Sequence, residues 1–232
     1  MQVPRKLSSR KHQPHGLSIL YEDQDIIVVD KAAGLLTIGT DKDKENTAHF
    51  HLNTYVKRGN MRSRNRVFVV HRLDRDTSGV LVFAKSEQAK HFLQNNWHDF
   101  HKRYYAWVEG HLAQREGEIE SWLFENDSFR VYSVRDTQKG RYSHTAYKVI
   151  RETGNYSLVD IVLYTGRKHQ IRVHMSEMGH PVVGDKIYGK LSKGISRLAL
   201  HAYSLTIVHP HTHKEMCFET SLPAFFKSFT RE

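Results

Sequence analysis

Strand-like alternation and helical spacing follow one another along this chain in short stretches. LSILYED and DIIVVDKAAGLLT, from Leu17 onward, read as two strands about an Asp23-Gln24-Asp25 turn. Ala48, Leu52, Tyr55 and Val56 then recur at helical spacing until Gly59 stops the pattern. Residues 67–70 (VFVV) and 80–83 (VLVF) are rich in β-branched and aromatic side chains, and each predicts a short buried strand. Ser86 is placed to cap a helix whose apolar face is Ala89, Phe92, Leu93 and Trp97. Residues 103–110 (RYYAWVEG) predict an aromatic strand. From Ile119 to Leu163, alternating runs broken at Asn126-Asp127, Lys139-Gly140 and Gly154-Asn155 predict an antiparallel meander. Residues 170–178 place Ile171, Met175 and Met178 on one helical face closed by Gly179. SLTIVHP and EMCFETSLP predict a last strand pair about His211-Thr212-His213. The fold class expected is α+β, a single domain over residues 17–232 with a mixed, largely antiparallel sheet flanked by helices and loops. There is no internal repeat, low-complexity tract or long linker.

Charge changes this picture from a generic fold to one with a partner. Thirty-five Lys and Arg against 25 Asp and Glu leave a formal net charge of +10. The partner that suits this is a polyanion, and nucleic acid fits best: no apolar run approaches the roughly 20 residues of a membrane span. Residues 1–16 are basic and lack the apolar core of a secretory signal, so they are expected to form a flexible arm on a monomeric, cytoplasmic protein. The single cysteine, Cys217, excludes an intramolecular disulfide and is expected in the core.

Between the strands at 67–70 and 80–83 lie His71, Arg72, Asp74, Arg75, Asp76, Thr77, Ser78 and Gly79. Asp, Thr, Ser and Gly are ordinary turn residues, yet this polar density exceeds what a plain hairpin needs. His71-Arg72-Leu73-Asp74 followed by Thr77-Ser78-Gly79-Val80 resembles the active-site signature of the RluA family of pseudouridine synthases. Residues 166–189, GRKHQIRVHMSEMGHPVVGDKIYG, resemble that family's second signature, and Lys102-Arg103-Tyr104-Tyr105-Ala106 a shorter third one. With Leu200-His201-Ala202 and the stretch from Phe218 to Pro223, the resemblance covers roughly residues 17 to 226.

The resemblance implies an isomerase that detaches uracil from ribose at N1, turns the base and rejoins it through C5, in rRNA or tRNA. Asp74 would be the essential carboxylate, either nucleophile at C1′ or base at C2′. Arg172 would keep it ionised and oriented. Tyr104 would stack on the flipped base. His71, Arg72, Arg62, Arg64, Arg66, Arg167 and Lys168 would serve RNA binding. Lys168 departs from the pattern, standing where relatives commonly carry a small hydroxylated residue. Many relatives also carry an S4-type domain at the N-terminus, for which residues 1–16 leave no room. No cofactor or metal is implied.

Other chemistries fit less well. His169 and His174 are five apart, on different helix faces, and with His180 and Asp185 they do not form a metal set. His209, His211 and His213 alternate, but Pro210 suggests a solvated loop, and no cysteine pair supports zinc. A kinase reading of HRLD lacks the Gly-rich and D-F-G elements. Asp74 and Asp76 are too close in one turn to be opposed glycosidase carboxylates. The alternatives that remain are a noncatalytic RNA-binding or RNA-chaperone module and, more distantly, a metal-dependent phosphoesterase.

Overall fold

The structure, a computed structural model, describes residues 13–39, 43–60, 62–189, 195 and 197–230. The expectation of a flexible basic arm falls mostly on residues 1–12, which lie outside the described residues. In chain order the elements are β1 (Leu17–Glu22), β2 (Ile26–Lys31), α1 (Ala48–Lys57), β3 (Phe68–Val69), β4 (Ser78–Ala84), α2 (Glu87–Asn95), β5 (His101–Glu109) and β6 (Glu116–Glu125). There follow β7 (Val131–Val134), β8 (Arg141–Thr153), β9 (Tyr156–Leu163), α3 (Gln170–Glu177), β10 (Leu200–Val208), β11 (Glu215–Glu219) and α4 (Ala224–Lys227). The fold class is α+β, as the alternation predicts.

Contacts group these elements into two compact units. One runs to Phe100 and takes in Ala202–Thr220; the other is His101–His201 with the chain from Ser221. In the first unit β4 is central and buried along its whole length. β2 pairs antiparallel along one edge of β4, and β1 pairs with β2. On the other edge β3 pairs only with Phe83 and Ala84, and β10, which carries β11, lies alongside the rest. Ile26, Val28, Val80, Val82, Ala89 and Leu93 are among the residues of this core. α1 is capped by Thr47 and α2 by Ser86, each hydroxyl accepting from the amide three residues on.

The second unit is a sheet ordered β5-β9-β8-β6-β7, with α3 on one face. This departs from a simple meander, because β6 pairs with β7 on one side and with β8 on the other. β7 is short and stays at the edge, so the chain passes it and returns along the longer β6. The α3 face holds Ala106, Val149, Ile161, Ile171 and Met175, while Met178 ends α3 exposed. Cys217 is half-buried on β11 beside the Ser204 hydroxyl, less enclosed than expected.

Candidate active site

Asp74 lies in the first unit, half-buried in a turn that the Thr77 amide closes on the Asp74 carbonyl at 3.2 Å. The turn is wide because β3 ends at Val69 while β4 begins at Ser78, so the chain from 70 to 77 follows no ladder. Other groups hold it instead. Thr37 Oγ1 donates to the Leu73 carbonyl at 2.8 Å and accepts from the Leu73 amide at 3.1 Å. The Arg75 carbonyl accepts from the Gly34 amide at 2.8 Å and from Lys31 Nζ at 3.1 Å.

Lys31 is 0% exposed, and its ammonium also donates to the carbonyls of Ala32 and Leu35. That gathering ends β2 at Lys31, earlier than the apolar run through Thr37 suggests. Gly79 explains the small residue of the first signature. Its φ is +120°, and a Cβ there would stand 2.1 Å from the Ala202 carbonyl oxygen, so only glycine lets β4 approach β10 this closely.

His71 accepts from the Val82 amide through Nε2 at 3.2 Å and stacks on Trp97, with ring centroids 4.2 Å apart. Arg72, Arg62, Arg64 and Arg66 are exposed. Arg66 lies over the Phe68 ring and near Glu87.

Arg172 and Tyr104 lie in the second unit. Tyr104 is half-buried on β5 opposite Ile161 and packs on the core that includes Ile171 of α3. Arg172 is almost fully buried. Its Nε and one terminal nitrogen donate to the two oxygens of Asp185 at 2.7 and 2.8 Å, and its guanidinium lies 5.2 Å from the Tyr188 ring centroid.

Asp185 also accepts from the amides of Ile187 and Tyr188. Burial would raise its pKa, but the hydrogen bonds and charge of Arg172 together with those amides hold it below the ordinary carboxylate value. Gly184, at φ +77°, admits the Arg197 carbonyl where a Cβ would be 2.2 Å from its oxygen, which fixes the turn presenting Asp185.

α3 begins without a side-chain cap of the usual kind, at His169 in the left-handed region. Gln170 serves in its place: its Oε1 accepts from the Arg167 amide and the Thr165 hydroxyl, and its amide group donates to the His144 carbonyl and Thr145 Oγ1. Arg167 is exposed, with Nε on the Tyr142 carbonyl. Lys168 turns its ammonium to Glu125 and the Phe129 ring of the β6–β7 loop, which is where the extra charge of this departure goes.

The histidines weighed as metal ligands have other work. His174 is buried against the hydroxyls of Ser121, Ser143 and Thr145, and burial pushes its pKa down to about 4. His169 Nδ1 is bonded to the Tyr188 hydroxyl, and His180 to the Glu109 carbonyl. His209, expected in a solvated loop, is instead 3% exposed: Nε2 donates to Asp23 and Nδ1 accepts the amides of His211 and Thr212. Among the described residues two other groups bring ligand atoms together, Asp23-Asp25-His209 and Glu118-Glu120-His144. In the first, Asp23 already accepts from Tyr21, His209 and the amides of Asp25 and Ile26, the bonds of a turn anchor.

Pattern alone does not single out Lys31, Thr37 or Tyr188, and it raises Asp185 only as a metal candidate. A lysine closing an apolar strand, IIVVDK, is the one signal that points to any of them.

The class of the protein follows from comparison with known proteins. The family model for RNA pseudouridylate synthase matches residues 25–177. The chain belongs to this family, is of the RluA type, and is an isomerase acting on RNA. It is 34% identical to ribosomal large subunit pseudouridine synthase D of Zymomonas mobilis, over 89% of this chain and 69% of that one. To dual-specificity RNA pseudouridine synthase RluA of Vibrio cholerae it is 36% identical, over 85% of this chain and 79% of that one. Among solved structures, human RNA pseudouridylate synthase domain containing 4 matches with a TM-score of 0.75 at 26% identity, over 90% of this chain and 89% of that one. No helix among the described residues is long and apolar enough to cross a membrane.

Proposed function

We propose that this protein converts specific uridines of rRNA or tRNA to pseudouridine in the cytoplasm, acting as a monomer, with Asp74 as its essential carboxylate. Arg172 and Tyr104 take the roles their signatures imply, pairing with the carboxylate and stacking on the base. The exposed Arg62, Arg64, Arg66, Arg72 and Arg167, with Lys168 and His71, serve the RNA and the local structure. The reaction breaks the N1 bond to ribose and forms the C5 bond in its place; the C5 hydrogen is lost to solvent and N1 takes up a proton, so product and substrate are isomers.

The observation that carries this reading is the clamp on Asp74: a half-buried carboxylate whose neighbouring peptides are fixed by Thr37, Gly34 and Lys31. A turn with no task at its centre has no need of such preorganisation. The names of the relatives support an RNA of the translation machinery, and the net charge of +10 supports a phosphate-rich partner.

Asp74→Asn keeps shape and hydrogen bonding and removes charge and nucleophilicity. The assay is tritium release from C5 of labelled uridine, in bulk RNA from cells lacking the gene. The folded variant is expected to bind this RNA as wild type does and to turn over below about one-thousandth of the wild-type rate. Wild-type turnover in a folded Asp74→Asn chain would sink the reading. A metal-dependent phosphoesterase is separated in the same assay by EDTA, which should leave tritium release unchanged.

A further inference from the structure

We propose that Thr37 is a positioning residue for the isomerisation: through one hydroxyl it sets the peptide that leads into Asp74, and so the place of the carboxylate. The inference rests on the reading of Asp74 as the essential group. Thr37 is 2% exposed and lies outside the stretches whose resemblance defines the site. Its hydroxyl bonds both polar groups of Leu73, donating to the carbonyl at 2.8 Å and accepting from the amide at 3.1 Å. The Leu73 carbonyl belongs to the peptide unit that also contains the Asp74 nitrogen, so that donation fixes the plane entering Asp74.

The next two planes are held by other means. The Asp74 carbonyl accepts the Thr77 amide, and the Arg75 carbonyl accepts the Gly34 amide and Lys31 Nζ. Backbone groups hold both of those carbonyls at least in part, and such bonds survive any side-chain change. The incoming plane is different, because its carbonyl is held by the Thr37 hydroxyl. With that hydroxyl gone, rotation at Leu73 and Asp74 swings the carboxylate about a fixed far side, and a misplacement of about 1 Å at a reacting group costs about a hundredfold in rate. Substrate binding draws on other groups, so the loss belongs in kcat and not in KM.

Thr37→Val keeps the shape and removes both bonds, whereas Thr37→Ser keeps the hydroxyl and removes a methyl. Tritium release from the same labelled bulk RNA is measured well below the unfolding temperature, with unfolding followed on each sample. Ser157→Ala, which deletes a fully buried hydroxyl bonded to the Gly110 carbonyl, serves as the control for loss of a buried hydrogen bond elsewhere.

The expected result is a fall of about 10- to 100-fold in kcat for Thr37→Val with apparent KM within about threefold, recovery to within about threefold in Thr37→Ser, and unchanged turnover in Ser157→Ala. A folded Thr37→Val chain with wild-type kcat overturns the inference, and so does a folded Thr37→Ser chain as slow as valine. If the valine chain does not fold, the serine chain decides: slowing of about tenfold with the hydroxyl present overturns the inference, and near-normal turnover upholds it. Asp74→Asn run alongside separates the two readings, since its activity tests the essential carboxylate independently of Thr37.

Discussion

The two signature stretches hold their charged groups by opposite means. Asp74 sits on a turn held through its peptide groups, by backbone partners, the Thr37 hydroxyl and the Lys31 ammonium. Arg172 sits on a regular helix, and its guanidinium is held by the side chains of Asp185 and Tyr188. The difference follows from local structure. A turn without a ladder exposes peptide groups that need partners. A helix satisfies its own peptides and leaves the buried charge of its side chain to be matched by another side chain. Most side chains of the Asp74 turn should therefore be replaceable without loss of its geometry, while the Arg172 site should fail with the Asp185 carboxylate.

The largest expected effect is at that carboxylate. Asp185→Asn leaves the buried guanidinium without its bidentate counter-charge, and breaking a buried pair in this way costs about 3 to 5 kcal/mol. Urea unfolding at neutral pH reads the loss directly, and a difference under about 1 kcal/mol would show that Arg172 does not depend on Asp185. The pair should also weaken in acid. Because the folded pKa of Asp185 is lowered, its contribution is fully present above the unfolded carboxylate pKa and is lost as pH falls through the folded value.

A second effect acts on the same helix at milder pH. His174 is neutral among hydroxyls, with its pKa moved from 6.5 to about 4 by burial. A depressed folded pKa means the stabilisation is complete above the unfolded value and disappears as pH falls from 6.5 toward 4. The shift corresponds to about 3 kcal/mol across that window. Replacing His174 with Gln should flatten the pH dependence of unfolding there by a similar amount. Equal slopes in the two proteins would mean that the imidazole does not titrate between those values.

Much of this was legible in the chain and part was not. Strand and helix positions followed from periodicity, whereas Ser78 and Gly79, which read as turn residues, open β4, Gly79 with φ +120°. What periodicity cannot convey is pairing at a distance. β8 passing β7 to lie against β6 depends on strand length and edge position, which alternation does not encode. Thr37 meets Leu73 and Lys31 meets Arg75 across more than thirty positions of chain, through backbone groups that carry no residue identity. Asp185 was visible only as a carboxylate near histidines. Its bond to Arg172, thirteen residues away, is one that spacing does not announce.

The smallest effect makes the sharpest use of the comparison. Asp76 lies two residues beyond Asp74 in the same turn and is exposed. The bonds that order this turn run through the peptides of Leu73, Asp74 and Arg75, and the Asp76 carboxylate takes no part in them. Asp76→Asn should then change stability by less than about 0.5 kcal/mol, the usual range for an exposed substitution. It removes one negative charge near the arginines proposed to bind RNA, so affinity at low salt should rise slightly. Turnover should stay within about twofold of wild type. A large fall in kcat with stability intact would mean that the turn's own side chains, and not the bonds made to its peptides, set its geometry. The contrast with the Arg172 site would then fail on the Asp74 side, whatever Asp185→Asn had shown on the other.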